Sequence, residues 1–148
     1  MASPQVVNTK VIIMNTFLHP ITIIGPSGEV TLEALVGTGA PYTQIPSHIL
    51  ESLAVAPSFE RTFILPDGSE KEYYMADVRM RLLDKELQSL CVFGDSDIRT
   101  VIGFVTLETL GLGIDLVNKK LIPVPARAPS PRLVEETRGH APTAAGQG

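Results

Sequence analysis

Six apolar runs, each parted from the next by residues that break regular structure, set the terms on which this chain can fold. Residues 6–13, 16–24, 30–36, 59–65, 72–83 and 86–93 are rich in Val, Ile, Leu, Phe and Tyr, the side chains that fit a pleated, half-buried surface. Between them stand Gly25-Pro26-Ser27-Gly28 and Pro66-Asp67-Gly68, each with a residue able to take a positive φ where a tight turn needs one, so each is expected to close a hairpin. Two short helices interrupt the pattern. Residues 46–53 begin on a proline and space Ile49, Leu50 and Leu53 along one face, and residues 105–110 follow Gly103 and stop at Gly111. The expectation is an all-β protein, a small closed β-barrel with one or two helical turns.

With 148 residues the chain has room for one domain that buries roughly two thirds of its unfolded surface. From about residue 126 Pro, Ala, Gly and charge replace apolar periodicity, so residues 126–148 read as a disordered tail, residues 15–125 as the domain, and residues 1–14 as a leader or N-terminal strand. Met14 is a second candidate start. A formal net charge of -4 with no Lys/Arg cluster argues against a nucleic-acid or membrane partner. A lone cysteine forms no internal disulfide, and no apolar leader or long span is present, which places the chain in the cytoplasm by default.

Most routes to chemistry close quickly. His19, His48 and His140 share no ligand spacing with Cys91, so no metal and no other cofactor is expected. Cys91 lies in an apolar run, where a small buried hydrophobe is the simplest role. Thr38 and Ser47 lack a neighbouring base, and the short Gly-Thr-Gly-Ala has no lysine with which to hold a phosphate. Of the aspartates, Asp67 reads as a turn former, Asp95 and Asp97 as solvated loop residues, and Asp115 as a turn or capping group.

The remaining feature is the stretch LEALVGTGAPYT at residues 32–43, an apolar strand running into a small polar turn. It is followed in order by a short helix, a hairpin with Asp-Gly at its tip, and an apolar-apolar-Gly turn at Val101, Ile102 and Gly103. This order resembles the retropepsin-like aspartic proteases, closest to their small bacterial members, over about residues 21–125. The family pattern apolar-apolar-Asp-Thr-Gly-Ala is matched by Leu35, Val36, Gly37, Thr38, Gly39 and Ala40, with Gly37 in the aspartate's place.

The resemblance implies a homodimer that acts on polypeptide substrates. In such a dimer two carboxylates, one from each copy, share a proton, one serving as base towards water and the other as acid towards the substrate carbonyl. It implies that Gly37, Thr38 and Gly39 form the catalytic loop, that Ala40, Tyr42, Leu65, Asp67 and Gly68 contact substrate, and that Val101, Ile102 and Gly103 make the turn behind the site. The hairpin at residues 65–68 would be the flap. Because a two-fold axis doubles every residue, Gly37 removes both acids at once. Two function classes follow: an aspartic endopeptidase inactivated by an Asp→Gly change at its active site, or a natural pseudoprotease that keeps the groove for peptide binding or dimerisation.

Overall fold

Alternating burial along the strands lays down one sheet with a packed face. The structure, a computed structural model, describes residues 16–126 and 128. In chain order the elements are β1 (Phe17–Gly25), β2 (Gly28–Val36), β3 (Thr43–Pro46), α1 (Ser47–Ser52), β4 (Phe59–Ile64), β5 (Glu70–Leu82), β6 (Lys85–Gly94), α2 (Phe104–Leu110), β7 (Leu112–Asp115) and β8 (Lys120–Pro123). The class is all-β, as expected. The run at residues 6–13, the leader and almost all of the tail lie outside the described residues.

β1 and β2 form the first hairpin, in register from Phe17 opposite Val36 to Gly25 opposite Gly28. β5 pairs with β1, β4 and β6, all antiparallel, and β3 adds to β6 in parallel. β7 and β8 make a separate two-stranded sheet. On β5, Val78, Met80 and Leu82 are buried while Asp77 and Arg79 face solvent, the period of two that a half-buried strand dictates. These side chains pack with Ile21 and Ile23 of β1, Val36 of β2, Ile45 of β3 and Leu50 of α1, each removed from water almost entirely. Each such burial contributes about 1.5–3 kcal/mol. The outer half of β5 and the whole of β4 carry few buried residues, so this hairpin is an arm standing off the core.

The barrel does not close as expected. The ladder runs β2-β1-β5-β6-β3 and leaves β2 and β3 as its ends. A single extended residue spans the gap: Val101 bridges Leu35 at the end of β2 on one side and Gln44 of β3 on the other. Residues 100–102 are too short a stretch to form a ladder strand, which is why closure is by isolated bridges.

The helices are where the residues set them. α1 follows Pro46 and buries Leu50. α2 ends on Gly111 at φ 71, the left-handed region that suits glycine at a helix end. Among the described residues no helix is long and apolar enough to cross a membrane.

Candidate functional site

β2 ends at Val36 and the chain turns through residues 37–42 before entering β3. Gly37 holds φ 96 and Gly39 φ 82, values that residues with a Cβ rarely adopt. Thr38 tightens the turn by accepting a hydrogen bond on its hydroxyl from the Ala40 amide, 3.1 Å away.

The turn is fixed from behind by residues 100–105. The Leu35 amide donates to the Thr100 carbonyl and the Ile102 amide donates to the Leu35 carbonyl, both at 2.9 Å. Val101 and Gln44 exchange amide-to-carbonyl hydrogen bonds in both directions, also at 2.9 Å. Helix α2 has no side-chain cap, so its first amides need acceptors from elsewhere. The loop supplies them: Phe104 donates to the Ala40 carbonyl and Val105 to the Pro41 carbonyl, each at 2.9 Å. Gly103 lies so close to the loop that a Cβ there would overlap the Tyr42 carbonyl carbon and the Thr43 amide nitrogen.

Beneath this contact is a buried chain of three hydroxyls. The Gly103 amide donates to Thr43 Oγ1 at 3.0 Å, Thr43 and Thr106 share a hydrogen bond of 2.6 Å, and Thr106 and Ser89 share one of 2.7 Å. Burying these groups is tolerable because each has a partner. Together they tie β3, β6 and α2 to the back of the loop.

The second turn of interest is the tip of the β4–β5 arm. Gly68, at φ 87, donates its amide to the Leu65 carbonyl at 2.8 Å, and the Leu65 amide donates to the Ser69 carbonyl at 2.8 Å. Asp67 accepts from the Ser69 hydroxyl at 2.6 Å and from the Ser69 amide at 2.9 Å. These two donors hold its carboxyl below the ordinary aspartate range. Asp67 is the turn former that its position suggested.

The arm meets the loop through Tyr42. Arg61 of β4 donates from Nη1 to Tyr42 Oη at 2.6 Å, and its guanidinium carbon lies 5.5 Å from the Tyr42 ring centre and 5.9 Å from that of Phe63. Tyr42 and Phe63 meet edge to face at 6.1 Å, as do Phe63 and Tyr73 at 5.6 Å. Lys71 then lies 4.9 Å over Tyr73 and pairs with Asp95 at 2.9 Å. Asp95 is exposed, as the sequence suggested, and is in addition an ion-pair partner.

Of the expected site residues, the structure brings together Gly37, Thr38, Gly39, Ala40 and Tyr42 with Val101, Ile102 and Gly103. Leu65, Asp67 and Gly68 stand apart, at the tip of the arm. Sequence reasoning missed Arg61, Phe63 and Tyr73, because no spacing rule relates residues of β4 and β5 to Tyr42.

Chemically, the loop offers backbone groups, the Thr38 hydroxyl and the Tyr42 phenol, and no acid. The described aspartates lie elsewhere: Asp67 at the arm tip, Asp77 on the exposed side of β5, Asp84 between β5 and β6, Asp95 and Asp97 after β6, and Asp115 at the end of β7. Asp115 accepts from the side chain and amide of Asn118, which hold its carboxyl below the ordinary range, so it is the turn group expected of it. Cys91 is fully buried, and loss of water pushes its thiol well up, with Asp77 adding to the effect. Such a thiol is inert. Among the described residues no group of His, Cys, Asp and Glu could hold a metal ion.

No protein-family model matches the chain, and no curated protein matches it. Among solved structures it is similar to the protease of simian foamy virus (mac), determined in solution. The TM-score is 0.48 at 15% identity, with 64% of this chain and 94% of the viral one covered.

Proposed function

We propose that the chain has the frame of a retropepsin-like aspartic endopeptidase, the small bacterial type, with Gly37 in the place of the catalytic aspartate. One observation carries this reading. The Gly-Thr-Gly-Ala loop is locked to the turn at Val101, Ile102 and Gly103 by paired backbone hydrogen bonds and by a glycine that nothing larger could replace. That construction fixes the backbone at position 37, which is what a positioned acid needs.

On this reading the protein is a homodimer with the two loops on its axis and an extended peptide between loops and arms, Leu65, Asp67 and Gly68 serving as the flap. The surface supports a partner there. Phe104, directly behind the loop, is 60% exposed, and Val117, beside the small β7–β8 sheet, is 89% exposed. A two-stranded sheet is marginal by itself, so further strands across an axis would complete it. As written, the protein lacks both base and acid and cleaves nothing by this mechanism.

The pseudoprotease reading is favoured by a separate observation. At φ 96, Gly37 adopts backbone that an aspartate takes up only at a cost of about 1–2 kcal/mol. The loop is therefore fitted to glycine, as a groove kept for binding would be.

Gly37→Asp tests both readings. If the frame is that of a protease, the folded, dimeric variant cleaves members of a broad peptide library, best at acidic to mildly acidic pH because two facing carboxyls must hold one proton between them. Mixed dimers with the Gly37 chain are far less active. A monomer in sedimentation at tens of micromolar, or a dimeric Gly37→Asp protein that cuts nothing from about pH 3 to pH 8 where paired carboxyls titrate, ends the protease reading.

A further inference from the structure

We propose that Arg61, moored by Tyr42, reads an acidic side chain of a peptide lying beside loop 37–42. The inference rests on the groove reading above and assigns the class of ligand that the groove selects.

The case begins with how the cations are partnered. Lys71 pairs with Asp95, Arg79 with Glu86, and Arg81 with both Glu29 and Glu86. Lys120 lies opposite Asp115, whose carboxylate it helps to hold ionised, and Lys85, Arg99 and Lys119 have neither a carboxylate nor anything else to hold them among the described residues. Arg61 belongs to neither group. It is held in place, by a phenol oxygen and two ring faces, yet none of its contacts neutralises it.

The arm's own register keeps acids away from it. Side chains on opposed strands share a face when they are paired, so Arg61 and Phe63 share one with Tyr73 and Lys71, while Glu60, Thr62, Glu72 and Tyr74 lie on the other. The acid nearest in the contact chain, Asp95, is occupied by Lys71.

A guanidinium presents five N–H donors in a planar fork, and Tyr42 engages one of them. The remainder match a carboxylate, whose two oxygens accept parallel hydrogen bonds. Because the rings already restrict the side chain, little rotamer freedom is left to lose when a ligand docks. Tyr42 sits two residues past Ala40, so the fork stands at the mouth of the loop. The chain as a whole carries a net charge of -4, which repels acidic peptides, so a preference for them must come from a local cation of this kind.

A decapeptide library, acetylated and amidated at its ends, tests this against the full chain with Gly37 in place. One position at a time is scanned through Asp, Glu, Asn and Gln, and affinity is read by fluorescence anisotropy. At one position the acids should bind about tenfold tighter than their amides, the scale of a charge-assisted hydrogen bond. The preference should vanish in Arg61→Gln, shrink in Tyr42→Phe and Arg61→Lys, and weaken with added salt. Should Arg61→Gln fail to fold, peptides with Lys at the scanned position, measured on the unaltered protein, should bind more weakly than those with Asn.

Equal binding of acids and amides would overturn the assignment and leave the groove reading standing. No peptide binding at all would overturn both. A preference that survives in folded Arg61→Gln would also defeat the assignment, because another cation would then be what is read.

Discussion

The two glycine-bearing turns of this protein, at residues 37–40 and residues 65–69, are built on opposite plans. The tip of the arm is self-sufficient: its hydrogen bonds run among Leu65, Asp67, Gly68 and Ser69, and a Cβ at Gly68 would meet nothing within 4 Å. Loop 37–42 is held by distant parts of the chain, through Leu35, Ala40, Pro41 and Thr43 to residues 100–106. The first turn keeps its shape by its own hydrogen bonds. The second keeps its place, which is the property a site requires.

Paired substitutions break that comparison most sharply. Gly103→Ala drives a methyl into backbone of Tyr42 and Thr43 and should destabilise the protein by about 3 kcal/mol or more, or prevent folding. Gly68→Ala adds its methyl to open space and costs only about 1 kcal/mol, from the positive φ. Denaturant melts of the two variants should differ accordingly, and equal losses would show that the loop is no better anchored than the tip.

Thr43→Val probes the same anchor more gently. It takes the acceptor from the buried Gly103 amide and leaves the Thr106 hydroxyl with Ser89 alone, a loss of about 1–3 kcal/mol. Amide exchange at Gly103 should quicken in this variant while that of Gly68 stays as it was; uniform quickening would speak against a local anchor.

The smallest effect belongs to pH. The carboxyls of Asp67, Asp115 and Glu86 are held below their ordinary values by Ser69, Asn118 and Arg81 in turn. A carboxyl lowered by folding adds stability that is present above its unfolded value and is lost as pH falls through the folded one. Stability should therefore decline below about pH 4, the usual range for these groups, and the decline should be shallow because all three are exposed. Asp67→Asn should flatten it slightly and leave loop 37–42 untouched, as judged by its amide chemical shifts.

Much of the fold was legible because strands and turns announce themselves locally. β1, β2, β4, β5 and β6 follow the apolar runs to within two residues at either end, and both Gly-bearing clusters close hairpins. β3 escaped notice because it has four residues, ends on Pro46 and pairs in parallel with β6, so neither length nor alternation marks it. β7 has the same brevity. The loop and the turn behind it were legible as a motif. Closure of the sheet through Val101 was not, since one bridging residue leaves no period to read. Nor was the contact of Arg61 with Tyr42, which joins β4 to the loop before β3 across 19 positions of the chain.

The double bridge at Val101 also bears on the order in which the molecule can assemble. β1 with β2, and β4 with β5 and β6, join neighbours along the chain and can form early. The backbone around Leu35 and Gln44 finds its partners only when residues 100–102 arrive, and contacts of such long separation must first meet the entropy of closing a large loop. Residues 37–42 therefore reach their final conformation late in folding, and on the ribosome not before the chain has been made past Gly103. The part of the protein that most resembles a working site cannot be complete until two distant stretches of chain have met.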